Sequence, residues 1–174
     1  MQPTIRADRN RRESTAVFVR GSLAVSAAVL IALATAATSQ ADNRRLNQSV
    51  IANVYTVQHQ AGCTNNVVNN PQLQLAAQWH TRDVMGHRDL TAELGSDGST
   101  PQSRADAAGY RGVVQQTVAI NPALAINGIE LINQWYRNPT ALATMRNCSN
   151  TQIGVWSENS LDRTVVVAVY GRPA

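Results

Sequence analysis

Lysine is absent from this 174-residue sequence, and all fifteen basic residues are arginine. Aromatic residues are also scarce, at 5% of the chain, with a single phenylalanine. Codon bias in a GC-rich genome explains an all-arginine basic set and points to no function. The hydrophobic fraction of 44% and the charged fraction of 15% are typical of a globular protein, so the composition excludes a disordered one.

Several signatures of catalysis and of nucleic-acid binding are missing too. The sequence contains no G-x-S-x-G nucleophile motif, no HExxH zinc motif and no glycine-rich phosphate loop. Five arginines and two acidic residues precede position 42, so residues 42–174 contribute only +1 to the net charge of +4. Arg44-Arg45 is the only basic pair in that region. We therefore exclude nucleic acid as the main partner.

The first 41 residues have the composition of a cleavable signal peptide. Residues 1–20 are arginine-rich, and the apolar run from Leu23 to Ala37 is shorter than the roughly 20 residues of a membrane-spanning helix. Ser39-Gln40-Ala41 favours cleavage after Ala41, and Ala34-Thr35-Ala36 is a second possible site. We predict a signal peptide over 1–41 and one exported domain over 42–174, without a transmembrane helix after cleavage. The alternative is an uncleaved signal anchor.

Two cysteines, Cys63 and Cys148, lie in the predicted mature domain. An exported chain meets an oxidising compartment, where an even cysteine count favours a disulfide. The closed loop of about 85 residues stabilises the fold by roughly 4–5 kcal/mol in the chain-entropy model. Two free thiols are the alternative. No histidine lies at ligand spacing from either cysteine, so we predict no metal and no cofactor here.

Hydrophobic periodicity and turn residues predict an α+β fold. We expect helices over 43–60 and from Pro71 to about Met85, with an Asn-rich loop between them. A capping box from Ser99 to Gln102 predicts a short helix ending at Gly109. The remaining predicted elements are a strand over 113–120, a helix opened by Asn121-Pro122, a short helix up to Arg146, and a hairpin of 152–156 with 164–170.

Five segments in order resemble bacterial CAP (SCP-like) domains. Ala77 to Met85 is similar to the family's "A-x-x-H-[ST]-x-D-M", with Val84 inserted, and Ser96 to Arg104 is similar to its "DGSTP…R". The other three segments are Ala108-Gly109-Tyr110, Trp135 with Asn138-Pro139, and Ile153-Gly154-Val155. The resemblance covers about 46–171 and implies an α-β-α sandwich with a small antiparallel sheet between helices. Together with the arginine bias it suggests secreted actinobacterial proteins of the mycobacterial type.

The family cavity that this resemblance implies carries two histidines and two acidic residues, which in some members hold a divalent cation. In this chain Glu93 stands at the first histidine position and Gln116 at the glutamate position. Asn138 stands at the second acidic position, and Ala141 at the second histidine position. The four residues do not provide two imidazoles for zinc. A shift of one or two residues in the loop would instead bring His87 to the first position.

The densest cluster of titratable residues is formed by His80, Asp83 and His87, which share roughly one helical face. Together with Glu93 they are candidates for an acid–base site. The simpler interpretation, which we favour, places His80 in the helix packing and leaves the other three in water.

Three functions stay open at this point. The first is a secreted or envelope domain that binds a lipid, a sterol or an envelope protein without catalysis, as the resemblance suggests. The second is a hydrolase-like enzyme with a rebuilt site around Glu93 and His80 or His87. The third is a purely structural envelope protein.

Overall fold

The computed structural model describes residues 43–90, 93–122 and 124–174. The predicted signal peptide, residues 1–41, lies outside these residues. The described residues belong to one compact unit. No helix in the described ranges has the length and apolar character of a membrane-spanning segment.

The structure has helices and strands in the order that the sequence predicts, with one short strand added. The described part of α1 covers 43–60, and α2 covers Pro71–Gly86. A strand of two residues, β1 (Val68–Asn69), lies in the stretch that we predicted to be only a loop. The later elements are α3 (Pro101–Ala107), β2 (Gly112–Asn121), α4 (Gly128–Arg137), α5 (Pro139–Arg146), β3 (Gln152–Ser160) and β4 (Arg163–Pro173).

The described strands form one sheet of four, in the order β1-β3-β4-β2. β4 lies inside the sheet and pairs antiparallel with both β3 and β2, whereas β1 pairs parallel with β3. The predicted hairpin is therefore confirmed, and both of its strands are longer than predicted. Asn121 pairs with Thr164 at one end of β2, and Gly112 pairs with Pro173 at the other.

Helices cover both faces of this sheet. Side chains along β4 therefore point alternately into two hydrophobic cores, one on each face. Val166, Ala168 and Tyr170 pack against apolar residues of α1, α4 and α5. Val165, Val167 and Val169 pack against α2 and α3. A strand buried on both faces has a continuous apolar sequence, which explains the run from Val165 to Tyr170. The predicted α+β class and α-β-α sandwich are confirmed.

Two helix starts differ from the prediction. The helix expected at Asn121-Pro122 begins at Gly128, where the Asn127 side chain accepts from the backbone N–H of Glu130. Asn121 belongs to β2 instead, because its ladder to β4 continues through that residue. The capping box of α3 is formed by Thr100 and Ser103, one residue later than the predicted Ser99 and Gln102.

The disulfide prediction is confirmed. Cys63 and Cys148 are bonded, at a sequence separation of 85. The bond joins the loop after α1 to the segment between α5 and β3.

Candidate functional site

The four positions that correspond to the family cavity lie around one cavity of about 240 Å³. Gln116 is on β2, Asn138 joins α4 to α5, and Ala141 is in the first turn of α5. Glu93 belongs to the loop before α3 and is exposed to solvent. The other residues lining this cavity, which we call the Gln116 cavity, are Thr117, Val118, Trp135 and Thr140.

Local hydrogen bonds fix the wall of the Gln116 cavity on the side of α4 and α5. The Asn138 side-chain oxygen accepts from the backbone N–H groups of Thr140 and Ala141, at 3.0 and 3.2 Å, and so caps α5. The indole N–H of Trp135 donates to the carbonyl of Val118 at 3.1 Å, which ties α4 to β2. Asn138 therefore serves the helix start, and its Oδ1 is already occupied.

Gln116 forms the opposite wall and is only 4% exposed. Its Oε1 accepts from Nη2 of Arg104 at 3.0 Å. Arginine can only donate, so this contact determines which end of the amide faces it. The amide nitrogen, Nε2, is left without a hydrogen-bond partner among the described residues. A buried donor without a partner is costly, so a ligand acceptor placed there would be favourable.

Arg104 holds this wall in place. Its guanidinium also donates to the carbonyls of Ser99 and Glu93, both at 2.7 Å. The residue is 6% exposed, and burial lowers the pKa of its guanidinium, an effect that the charges of Asp97, Asp83 and Glu93 oppose. The family resemblance includes Arg104 in the segment from Ser96 to Arg104, but it implies no role for this residue. Only the position of α3 against β2 shows that Arg104 connects the loop carrying Glu93 to Gln116.

His80, Asp83 and Arg104 line a second cavity of about 390 Å³, on the α2 and α3 side. His80 is fully buried, and His87 is about half exposed and contacts Asp83 at 3.0 Å. Glu93 lines the Gln116 cavity and is not among the residues lining this one. The structure thus brings His80, Asp83 and His87 together on α2 and its C-terminal cap, and it leaves Glu93 in a different cavity.

Asp83 holds the loop before α3 against α2 through hydrogen bonds. Its carboxylate accepts from the backbone N–H of Ser96 at 2.8 Å and from the Ser96 hydroxyl at 2.6 Å, which connects α2 to the loop before α3. Burial acts to raise the pKa of Asp83, but the bonds from Ser96 and the neighbouring His87 and His80 outweigh it, so that the pKa is lowered. Among the residues with described positions, no group of three or more His, Cys, Asp or Glu side chains could hold a metal ion.

No family model matches this sequence, and no curated protein matches it either. Solved structures do match. An outer surface protein of Borrelia burgdorferi superposes with a TM-score of 0.66 at 14% identity, covering 76% of this chain and 96% of that one. An extracellular Bacillus anthracis protein containing an SCP domain gives 0.63 at 13% identity, covering 75% of this chain and 41% of its own.

A cysteine-rich secretory protein of Staphylococcus aureus gives a TM-score of 0.57 at 13% identity, and covers 75% of this chain and 39% of its own. The present chain thus spans well under half of the Bacillus and Staphylococcus proteins. At these identities the similarity establishes the fold, which is that of CAP (SCP-like) domains.

Proposed function

We propose that this chain is an exported CAP-like domain that binds a small polar ligand in the Gln116 cavity and catalyses no reaction there. The observation that carries the proposal is the Nε2 of Gln116. It is a buried donor whose direction Arg104 sets, and it has no partner among the described residues. A donor held in this way is a recognition element, because it favours ligands that bring an acceptor and disfavours those that do not.

The composition of the cavity defines the class of ligand. The acceptor end of the ligand would meet Gln116, and a donor or cationic end would meet the carboxylate of Glu93. The volume of about 240 Å³ is below the roughly 300 Å³ at which pockets for drug-sized ligands begin. A sterol or long lipid, which the family resemblance suggested, is therefore a poorer match to this cavity than a small polar molecule.

A catalytic function lacks support from the same residues. The hydrolase hypothesis needs Glu93 beside His80 or His87, and His80 lines the other cavity while His87 lies at the exposed end of α2. The four family positions supply one carboxylate, two amides and a methyl group. This set does not fit zinc, which favours imidazole and thiolate ligands. We therefore derive no metal-dependent step for this chain.

Export is part of the proposal and is supported by two features. The first is the predicted signal peptide over residues 1–41, and the second is the disulfide, because disulfides persist in oxidising compartments. The Bacillus neighbour is described as extracellular and the Borrelia neighbour as an outer surface protein. We propose the same location for this chain, free outside the cell or held at the envelope, in an actinobacterium of the mycobacterial type.

The ligand proposal is tested by native mass spectrometry of the full chain after export from an actinobacterial host. We expect one small polar molecule per chain, lost in Gln116→Leu and kept in the control Gln134→Leu, whose position on α4 is exposed. A co-purifying lipid would contradict the polar cavity. A chain that carries nothing in any variant would favour the structural envelope role. The same spectra test export, because cleavage after Ala41 predicts a chain beginning at Asp42.

The correspondence of the four positions with the family cavity needs its own experiment. We expect a variant with Glu93→His, Gln116→Glu, Asn138→Glu and Ala141→His to bind one zinc ion per chain in equilibrium dialysis, and the unchanged protein to bind none at the same zinc concentration. If the rebuilt variant folds and fails to bind zinc, the four positions do not form the implied cavity.

A further inference from the structure

A third cavity, of about 440 Å³, lies where the hairpin turn meets the end of β2. Its residues are Arg88, Val118, Ile120, Pro122, Asp162 and Arg163. We call it the Arg163 cleft. It shares Val118 with the Gln116 cavity but contains none of the family positions.

Arg163 opens β4, and its place in the sheet leaves its guanidinium buried. Its backbone pairs with Ser160 across the hairpin turn, and its side chain is 6% exposed. Nη2 makes one long hydrogen bond, 3.4 Å, to the carbonyl of Leu90. Nη1 is buried and has no hydrogen-bond partner among the described residues. A buried cationic N–H group without a partner is unfavourable, so an anion that accepts from Nη1 would stabilise this guanidinium.

The acidic residue of the cleft does not neutralise Arg163. Both carboxylate oxygens of Asp162 accept from Nη2 of Arg88, at 3.1 and 2.8 Å, and Oδ1 also accepts from the Ser160 hydroxyl. The bonds from Arg88 and Ser160 lower the pKa of Asp162, which keeps it ionised and paired. The ion pairs formed by described residues include Arg88 with Asp162 and none with Arg163. Because Arg88 and Asp162 neutralise each other, the residues lining the cleft have a net charge of +1, which comes from Arg163.

The other wall of the cleft is apolar. Val118 and Ile120 come from the same face of β2, two residues apart, and Pro122 follows the strand. They lie beside a single buried cation, so the cleft suits a molecule with one negative charge and an apolar body. A dianionic phosphate would bring one charge too many and would leave the apolar wall in contact with water.

We propose that the Arg163 cleft binds a monocarboxylate with a compact apolar body. The carboxylate would accept from Nη1 of Arg163, and the body would cover Val118 and Ile120. Arg88 is a positioning residue, because it holds the carboxylate of Asp162 away from Arg163. This site is independent of the function proposed for the Gln116 cavity.

The test is a titration of the full exported chain with hexanoate, followed by NMR chemical shifts and isothermal calorimetry. We expect saturable binding of hexanoate, and binding at least about tenfold weaker for both 1-hexanol and inorganic phosphate, since a charge-assisted bond and an apolar contact are each required. Equal affinity for 1-hexanol would overturn the role of Arg163. Equal affinity for phosphate would overturn the role of the apolar wall.

Variants assign the site. We expect Arg163→Gln to lose at least about tenfold in hexanoate affinity, and the control Arg172→Gln, at the exposed far end of β4, to lose none. Arg88 lies on the surface, so Arg88→Gln provides a second test of the site should Arg163→Gln fail to fold. In Arg88→Gln the carboxylate of Asp162 loses its partner, and we expect it to pair with Arg163 and so weaken hexanoate binding. Unchanged hexanoate affinity in Arg88→Gln and in a folded Arg163→Gln would refute the proposal, whereas Gln116→Leu should have no effect.

Discussion

Removal of the disulfide should strongly destabilise the fold and leave all three cavities intact. The bond closes a loop over a sequence separation of 85. In the chain-entropy model a bond that closes a loop of that length raises the free energy of the unfolded chain by about 4.6 kcal/mol at 25 °C, because it removes conformational entropy. We therefore expect the double substitution Cys63→Ala and Cys148→Ala to lower the free energy of unfolding by about 4 kcal/mol, and the melting temperature by about 12 to 20 °C.

The measurement is urea unfolding of the oxidised protein, of the reduced protein and of the double variant, followed by circular dichroism. The reduced protein keeps Cys63, which is 4% exposed, in its packed position. It separates the effect of the bond from the effect of losing a buried side chain. If chain connectivity is the source of the stability, the reduced protein and the double variant should unfold at nearly the same urea concentration.

Two results would refute this reasoning. A loss below about 1 kcal/mol on reduction would mean that the unfolded chain is already compact enough for the bond to restrict little. A double variant much less stable than the reduced protein would assign the effect to packing at Cys63 instead.

Two further predictions follow from contacts of α2. Gly154→Ala should cost about 1–3 kcal/mol or more in urea unfolding, because its Cβ would overlap the backbone of Leu73 and Gln74, while the control Gly86→Ala, with open space around it, should cost nothing. Asp83 has a lowered pKa in the folded protein, so its contribution is complete above the pKa of the unfolded chain and is lost as the pH falls through the lower folded pKa. Asp83→Asn should therefore flatten the fall of unfolding free energy between about pH 5 and pH 2, and an unchanged slope would show that the bonds to Ser96 do not stabilise the fold.

Local patterns were sufficient for most of the fold. Apolar residues recur at helical spacing in α1 and α2, and β-branched residues form runs in both strands of the hairpin. Both patterns can be recognised in the sequence alone. The signal at Asn121-Pro122 failed because the ladder to β4 extends β2 through Asn121, and pairing over a long sequence separation outweighs a local helix start. β1 was missed because two residues are too few to show alternation.

The candidate site was predictable only as a set of positions. The resemblance identified Glu93, Gln116, Asn138 and Ala141, and the structure places all four around one cavity. The spacing of His80 and His87 gave no information about Glu93, because the loop that carries Glu93 is oriented by Arg104 from another helix. Likewise, no local pattern distinguishes the buried Arg163 from an ordinary arginine in a turn.

The position of β4 also determines when the sheet can form. β2 and β3 are both bonded to β4 rather than to each other, and β4 follows every other described element in the chain. During synthesis the long ladder between Gly112 and Pro173 therefore has no partner strand until the residues of β4 have left the ribosome. Sheets that depend on such distant pairing fold slowly. A nascent chain of this protein therefore lacks a completed core until its last described strand has been synthesised.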